Sequence, residues 1–183
     1  VQALLEGDKN KAAKAREDGI KIDQMEREIE SICLKLLLQQ QPVAKDLRVI
    51  SAALKMITDM ERIGDQAEDI AEIITFLNGR TGEECHDIRL MAEATIKMVN
   101  DSIDAYVKRD VNLAKAVEDY DDVVDEAFLR VKKTLISMIA ENSADGEYAI
   151  DLLMIAKYFE RIGDHAVNVA EWVEFSVTGI HKG

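Results

Sequence analysis

Apolar residues recur at helical spacing along nearly the whole chain, and no segment sustains the alternation of a strand. From Asp8, one stripe runs through Ala12, Ala15, Ile22, Met25, Ile29, Cys33 and Leu36 to about Gln40. This recurrence every three or four residues is that of an amphipathic helix, with Asp8 as its cap. Val1 to Glu6 reads as the end of a preceding helix. Pro42 fits the first turn of the next helix, where a missing N–H costs nothing, and the pattern continues through Leu47, Leu54, Met60 and Ala67 to about Leu77. Asn78-Gly79-Arg80-Thr81-Gly82 then interrupts it. Three more helices are predicted, over 83–108, 110–141 and 145–177.

The pattern repeats. Glu-Arg-Ile-Gly-Asp occurs at Glu61–Asp65 and again at Glu160–Asp164, each time inside a long helix. The likeness extends outward: Ala3–Asp8 aligns with Ala105–Asp110, Ile22-Asp23 with Val124-Asp125, and Ile29 with Val131. The chain therefore reads as all-α, with two tandem, pseudo-symmetric three-helix bundles. Residues 1–78 form the first repeat, 79–82 the linker and 83–183 the second. The first helix of the first bundle is largely missing, so roughly 20 residues are expected before Val1 to complete it.

Composition supports long helices over sheets, with 48% apolar residues, 5% aromatics and a single proline among 183 residues. A net charge of −13 argues against a general nucleic-acid-binding or anionic-membrane-binding surface. No apolar run is long enough to span a bilayer. The two cysteines, Cys33 and Cys85, have no metal-type spacing and fit a reducing, cytoplasmic compartment, Cys33 as a core thiol.

The chemistry concentrates on the repeated motif. Along the third helix one heptad row reads Ile50, Ile57, Gly64, Ala71, and its neighbour reads Leu47, Leu54, Glu61, Glu68. Glutamate replaces leucine on a row facing a neighbour, and Asp65 joins it one turn on. The second half repeats this with Ala149, Ala156, Gly163, Ala170 beside Leu153, Glu160, Val167, and with Asp164 next to the glutamate. Two carboxylates on one helix face repel each other, and each mid-helix glycine costs about 1 kcal/mol relative to alanine. The bland reading is a solvated acidic face neutralised by Arg62 and Arg161. Recurrence of both costs favours a bound hard cation, for which all-oxygen ligands suffice. Asp122 and Asp125 could complete a site in the second half, and Asp23 with Glu26 in the first, where Ile20 stands in place of Asp122. His165 breaks the Glu-x-x-His spacing of di-iron bundles, and His86 and His181 suggest no site. Neither a nucleophilic triad nor a glycine-rich phosphate loop is present.

The paired Glu-Arg-Ile-Gly-Asp motifs, Gln41-Pro42-Val43-Ala44-Lys45-Asp46-Leu47-Arg48, and the ending Trp172-Val173-Glu174-Phe175-Ser176-Val177-Thr178-Gly179 together resemble the PhoU family of bacterial phosphate-signalling proteins. The resemblance implies two three-helix bundles carrying multinuclear clusters of iron or of other divalent metals (Mn, Mg or Zn). By matching, Glu61 and Asp65 would ligate one cluster, and Glu160 and Asp164 the other. It implies no enzyme. The expected role is negative regulation of the phosphate-starvation response, coupling a phosphate ABC transporter and its ATPase to a membrane sensor histidine kinase. The expected protein is cytoplasmic and reaches the membrane only through partners, and a homodimer is expected from the general frequency of symmetric dimers alone. Asp69 departs from the pattern, standing where the second half has Asn168. The competing classes are a metal-dependent phosphohydrolase and a metal-free helical scaffold.

Overall fold

The computed structural model describes residues 1–39 and 42–180. Six α-helices follow in order: α1 Gln2–Glu6, α2 Lys9–Gln39, α3 Ala44–Ile74, α4 His86–Lys108, α5 Val111–Glu141 and α6 Gly146–Thr178, with no strand among the described residues. Local chemistry sets their ends. Asp8 Oδ1 accepts from the amides of Asn10 and Lys11 at the start of α2. At the matching place in the second half, Asp110 Oδ1 accepts from Asn112 and Leu113. Gly7 closes α1 in the left-handed region at φ 66°, where glycine carries no side-chain penalty. Pro42 lies outside the helix it was expected to enter, because Val43 is the N-cap of α3. That helix also stops earlier than its apolar pattern, at Ile74, and Leu77 buries itself in the turn that follows.

Each half is built from antiparallel helices, and the halves meet through α3 and α6, the most extensive contact in the molecule. Those two helices run antiparallel, since Arg48 near the start of α3 lies against Gly179 beyond the end of α6. One continuous core results, drawing Met56, Ile70 and Ile74 from α3, Met91 and Met98 from α4, and Leu152, Ile155 and Phe159 from α6. The linker is pinned at one end of the molecule. Arg80 caps the Tyr148 ring at 3.6 Å and reaches Asp145 at 2.7 Å, while the Tyr148 hydroxyl donates to the Thr81 carbonyl at 2.6 Å.

The duplication is unequal in its helix count. In the second half α4 covers α5 and α6, so Val124, Ala127 and Val131 are buried. Their counterparts on α2 are Ile22, Met25 and Ile29, and Met25 is 59% exposed. An open apolar cleft of about 250 Å³ runs there between Ile22, Met25, Ile29, Ile57 and Met60. In the first half the five residues of α1 are the counterpart of the last turns of α4.

Candidate metal centre

The repeated pentapeptides sit at the middle of α3 and α6, and in each the glycine lets a neighbouring helix come close. Gly64 faces Ile22 of α2: a Cβ there would lie 3.2 Å from Ile22 Cδ1. Gly163 faces α5 and α4, with Asp121 Oδ1 and Met98 Sδ at 3.4 and 3.7 Å from the same notional atom. The helix-propensity cost of each glycine is therefore exchanged for close approach of the helix that brings the remaining carboxylates.

In the first half that approach closes a group. Asp23 from α2 meets Glu61 and Asp65 from α3, and one ligand oxygen from each lies within 4.8 Å of the others. All three are half-buried, and among the described residues no other triad of His, Cys, Asp or Glu converges this closely. The Glu61 carboxyl is pushed above its ordinary range, first by desolvation and then by the charge of Asp65, with Arg62 opposing and Glu26 and Asp23 adding to the rise. Arg62 stands 3.6 Å from Glu61 but is itself exposed. Glu26 thus contributes field without joining the triad.

The second half gathers more acid but holds it less tightly. Asp121 is raised to about 6, by desolvation first, then by Asp125, Asp164, Asp122 and Glu160. Asp164 is raised as well, chiefly by desolvation and then by Glu160, although the residue as a whole is open to solvent. Lys157 forms an ion pair with Glu160 one turn away. Asp122 and Asp125 are exposed, and the half-buried member of the α5 group is Asp121. Sequence reasoning passed over Asp121, although Asp121 and Asp125 share a helix face at a four-residue spacing.

Repeat alignment sets Asp121 against Gly19, and the structure shows what fills that gap. Gly19 is buried, and a Cβ there would collide with the Glu68 carboxylate, which occupies the space. The Glu68 side chain from α3 thus takes the place that a side chain at position 19 would need. The heptad reading also needs adjusting. The row Ile50, Ile57, Gly64, Ala71 is buried, whereas Leu47 is exposed and Leu54, Glu61 and Glu68 are half-buried. The acids line the margin of the core, where water can reach them, and do not interrupt a dry seam.

Polar links tie the two motif helices together. On α3, Asp59 Oδ1 accepts from Asn168 Nδ2 at 3.0 Å and pairs with His165 Nδ1 at 2.9 Å, both on α6. The pseudo-equivalent position is Tyr158, whose phenol is raised by burial first and then by Asp69. Thus Asp69 and Asn168 occupy matching places with different partners, which accounts for the departure noted in the sequence. His165 is an inter-helix bridge, His86 is exposed at the start of α4, and His181 lies outside the described residues, as does Gln41. Cys33 and Cys85 are both free and buried.

The donor set fits a hard divalent cation. Oxygen ligands at about 2.0–2.6 Å from such an ion lie at most about 5 Å from each other, which the 4.8 Å span of Asp23, Glu61 and Asp65 satisfies.

The PhoU domain model matches residues 1–74 and 88–173, one match in each half. The chain belongs to the PhoU family. It is 39% identical over 98% of its length to the phosphate-specific transport system accessory protein PhoU homolog of Clostridium acetobutylicum, of which it spans 83%. The homolog from Thermotoga maritima is 34% identical, with 98% of this chain and 78% of that protein aligned. The crystal structure of PhoU from Pseudomonas aeruginosa superposes with a TM-score of 0.93 at 34% identity, covering 98% of this chain and 87% of that one. The all-α PhoU architecture is the observed fold, and among the described residues no helix is long and apolar enough to cross a membrane.

Proposed function

We propose that this chain is an accessory protein of a phosphate-specific transport system and acts as a negative regulator of the phosphate-starvation response, not as an enzyme. It would couple the transporter and its ATPase to a sensor histidine kinase, in the cytoplasm and as a homodimer. The observation that carries the reading is the near-full-length match to proteins named for that system. The acid clusters add the metal component. Asp23, Glu61 and Asp65 would hold a divalent ion or an iron cluster in the first half, and Glu160, Asp164, Asp121 and Asp125, with Asp122 at the rim, would do so in the second. Bound metal would neutralise the mutual repulsion of these carboxylates and fix α2 against α3 and α5 against α6. Metal occupancy would thereby set the shape offered to a partner.

The test is binding of the purified chain to the kinase's cytoplasmic region and to the transporter ATPase, with and without added Mn²⁺ or iron. Metal-dependent binding that is lost in Glu61→Ala/Glu160→Ala would support the reading. Binding that ignores metal would keep the adaptor role and remove the clusters from signalling. Absence of binding to both partners would overturn it. A phosphatase assay on metal-loaded protein addresses the hydrolase alternative directly, and turnover lost in the same variant would favour that class.

A further inference from the structure

The two acid clusters differ by one positive charge that the repeat does not share. Lys157 stands one turn before Glu160 on α6, and its ammonium is ion-paired with the Glu160 carboxylate. The repeat puts Thr58 at the corresponding position before Glu61. Thr58 turns back on its own helix, its hydroxyl donating to the Leu54 carbonyl at 3.3 Å, so no cation enters the first cluster from that position. Arg62 comes within 3.6 Å of Glu61 only from an exposed position, and its counterpart Arg161 lies over the Tyr158 ring, 5.9 Å from the centroid.

A second exchange keeps the lysine where it is. Its ammonium lies 5.6 Å from the centroid of the Phe128 ring on α5, and position 128 aligns with Glu26 in the first half. The first half thus sets an acid and a neutral hydroxyl where the second sets an aromatic ring and a lysine. Lys157 acts on more than one carboxylate, since its charge also opposes the rise of Asp164. The Glu160 side chain is only 18% exposed, so the pair is partly withdrawn from the water that would otherwise screen it. The carboxylates differ accordingly. Asp23, Glu61 and Asp65 converge within 4.8 Å, and among the described residues the Glu160 cluster forms no such group.

We propose that Lys157 is an internal competitor for the cation: it closes the second-half cluster to divalent metal until its side chain is displaced, so that the two halves fill at different metal concentrations. The inference rests on the metal-binding reading of the acid clusters and adds the order in which they load. An ammonium and a divalent ion are drawn to the same carboxylate oxygens, and their mutual repulsion at that range opposes joint occupancy. The lysine stem is flexible and its side chain 43% exposed, so it can swing into water when an ion of higher charge takes Glu160. The first half has no such gate and loads first. The second responds only when metal is more abundant, which gives one chain two thresholds.

Mn²⁺ titration of the chelator-stripped full chain, with the free ion followed by electron paramagnetic resonance, tests the order. Two affinity classes are expected in the parent. Glu61→Gln/Asp65→Asn should abolish the tighter class and leave the weaker one. Lys157→Thr, which installs the first-half residue, should tighten the weaker class by roughly tenfold and leave the tighter class unchanged. Lys157→Arg keeps the charge and should leave both classes where they were. Thermal melts in chelator check that each variant folds. A single class of equal affinity in both halves, a weaker class that Lys157→Thr does not move, or equal tightening by Lys157→Arg would overturn the competitor role while the metal reading stands. Absence of Mn²⁺ binding in the parent and in every variant would overturn both.

Discussion

Removing one carboxylate should stabilise the metal-free protein. Asp121 is held at about 6 against an ordinary 3.8, by desolvation first and then by the charges of Asp125, Asp164, Asp122 and Glu160. An acid whose folded pKa exceeds its unfolded value binds more protons when folded between those two values. Stability therefore falls as pH rises from about 4 to about 6, and the full penalty applies above that window. The ceiling is about 3 kcal/mol for this difference in pKa. Asp121 is only half-buried and shares its titration with its neighbours, so about 1–2 kcal/mol is the expected size. Asp121→Asn keeps the shape, including the side-chain contact over Gly163, and removes the charge. Urea melts followed by circular dichroism, in chelator at pH 4.5 and 7.5, read the effect. At pH 7.5 the variant's midpoint should rise by roughly 0.5–1 M, and at pH 4.5 the gap should shrink to about a third of that. Added Mn²⁺ should reverse the order, because a ligand that binds only the folded state stabilises in proportion to its occupancy. If Asp121→Asn melts earlier at pH 7.5 in chelator, or keeps the parent's pH slope, the electrostatic account of this cluster is wrong.

The other expectations concern the frame that holds the site. Tyr148→Phe deletes the hydroxyl that donates to the Thr81 carbonyl at 2.6 Å; it should cost about 1 kcal/mol in the same melts, and loss of the linker's tie should speed proteolysis there. Ile155→Ala empties a fully buried position on α6 and should cost about 2–5 kcal/mol, whereas Ile150→Ala, largely exposed, should stay within about 0.5 kcal/mol. Asp110→Ala removes the side chain that caps α5 through Asn112 and Leu113; a loss of about 1 kcal/mol is expected by chemical denaturation.

Helices are local objects, and their bounds follow from local chemistry. That is why Asp8 and Asp110 mark two starts, and why the break at Asn78 and Gly79, both at positive φ, was legible in advance. The duplication was legible too, because equivalent packing environments keep equivalent residues, and with it came Glu61, Asp65, Glu160 and Asp164. Where the reading slipped at helix ends, as at Pro42 and Ile74, one or two residues' choice between helix and turn was decided by neighbours in space.

What the chain order could not reveal is which side chains from different helices converge. Asp23 meets Glu61 and Asp65 only because Gly64 admits α2. Asp121, not Asp122, points inward because α5 settles against Gly163 at one rotation. Glu68 lies against α2 because Gly19 leaves it room. The antiparallel pairing of α3 with α6 is likewise invisible along the sequence, and it alone brings Asp59 to His165 and Asn168. Periodicity and capping act within a few residues and can be read in one dimension. Convergence depends on helix rotation and crossing, which are set by the packing of the whole core.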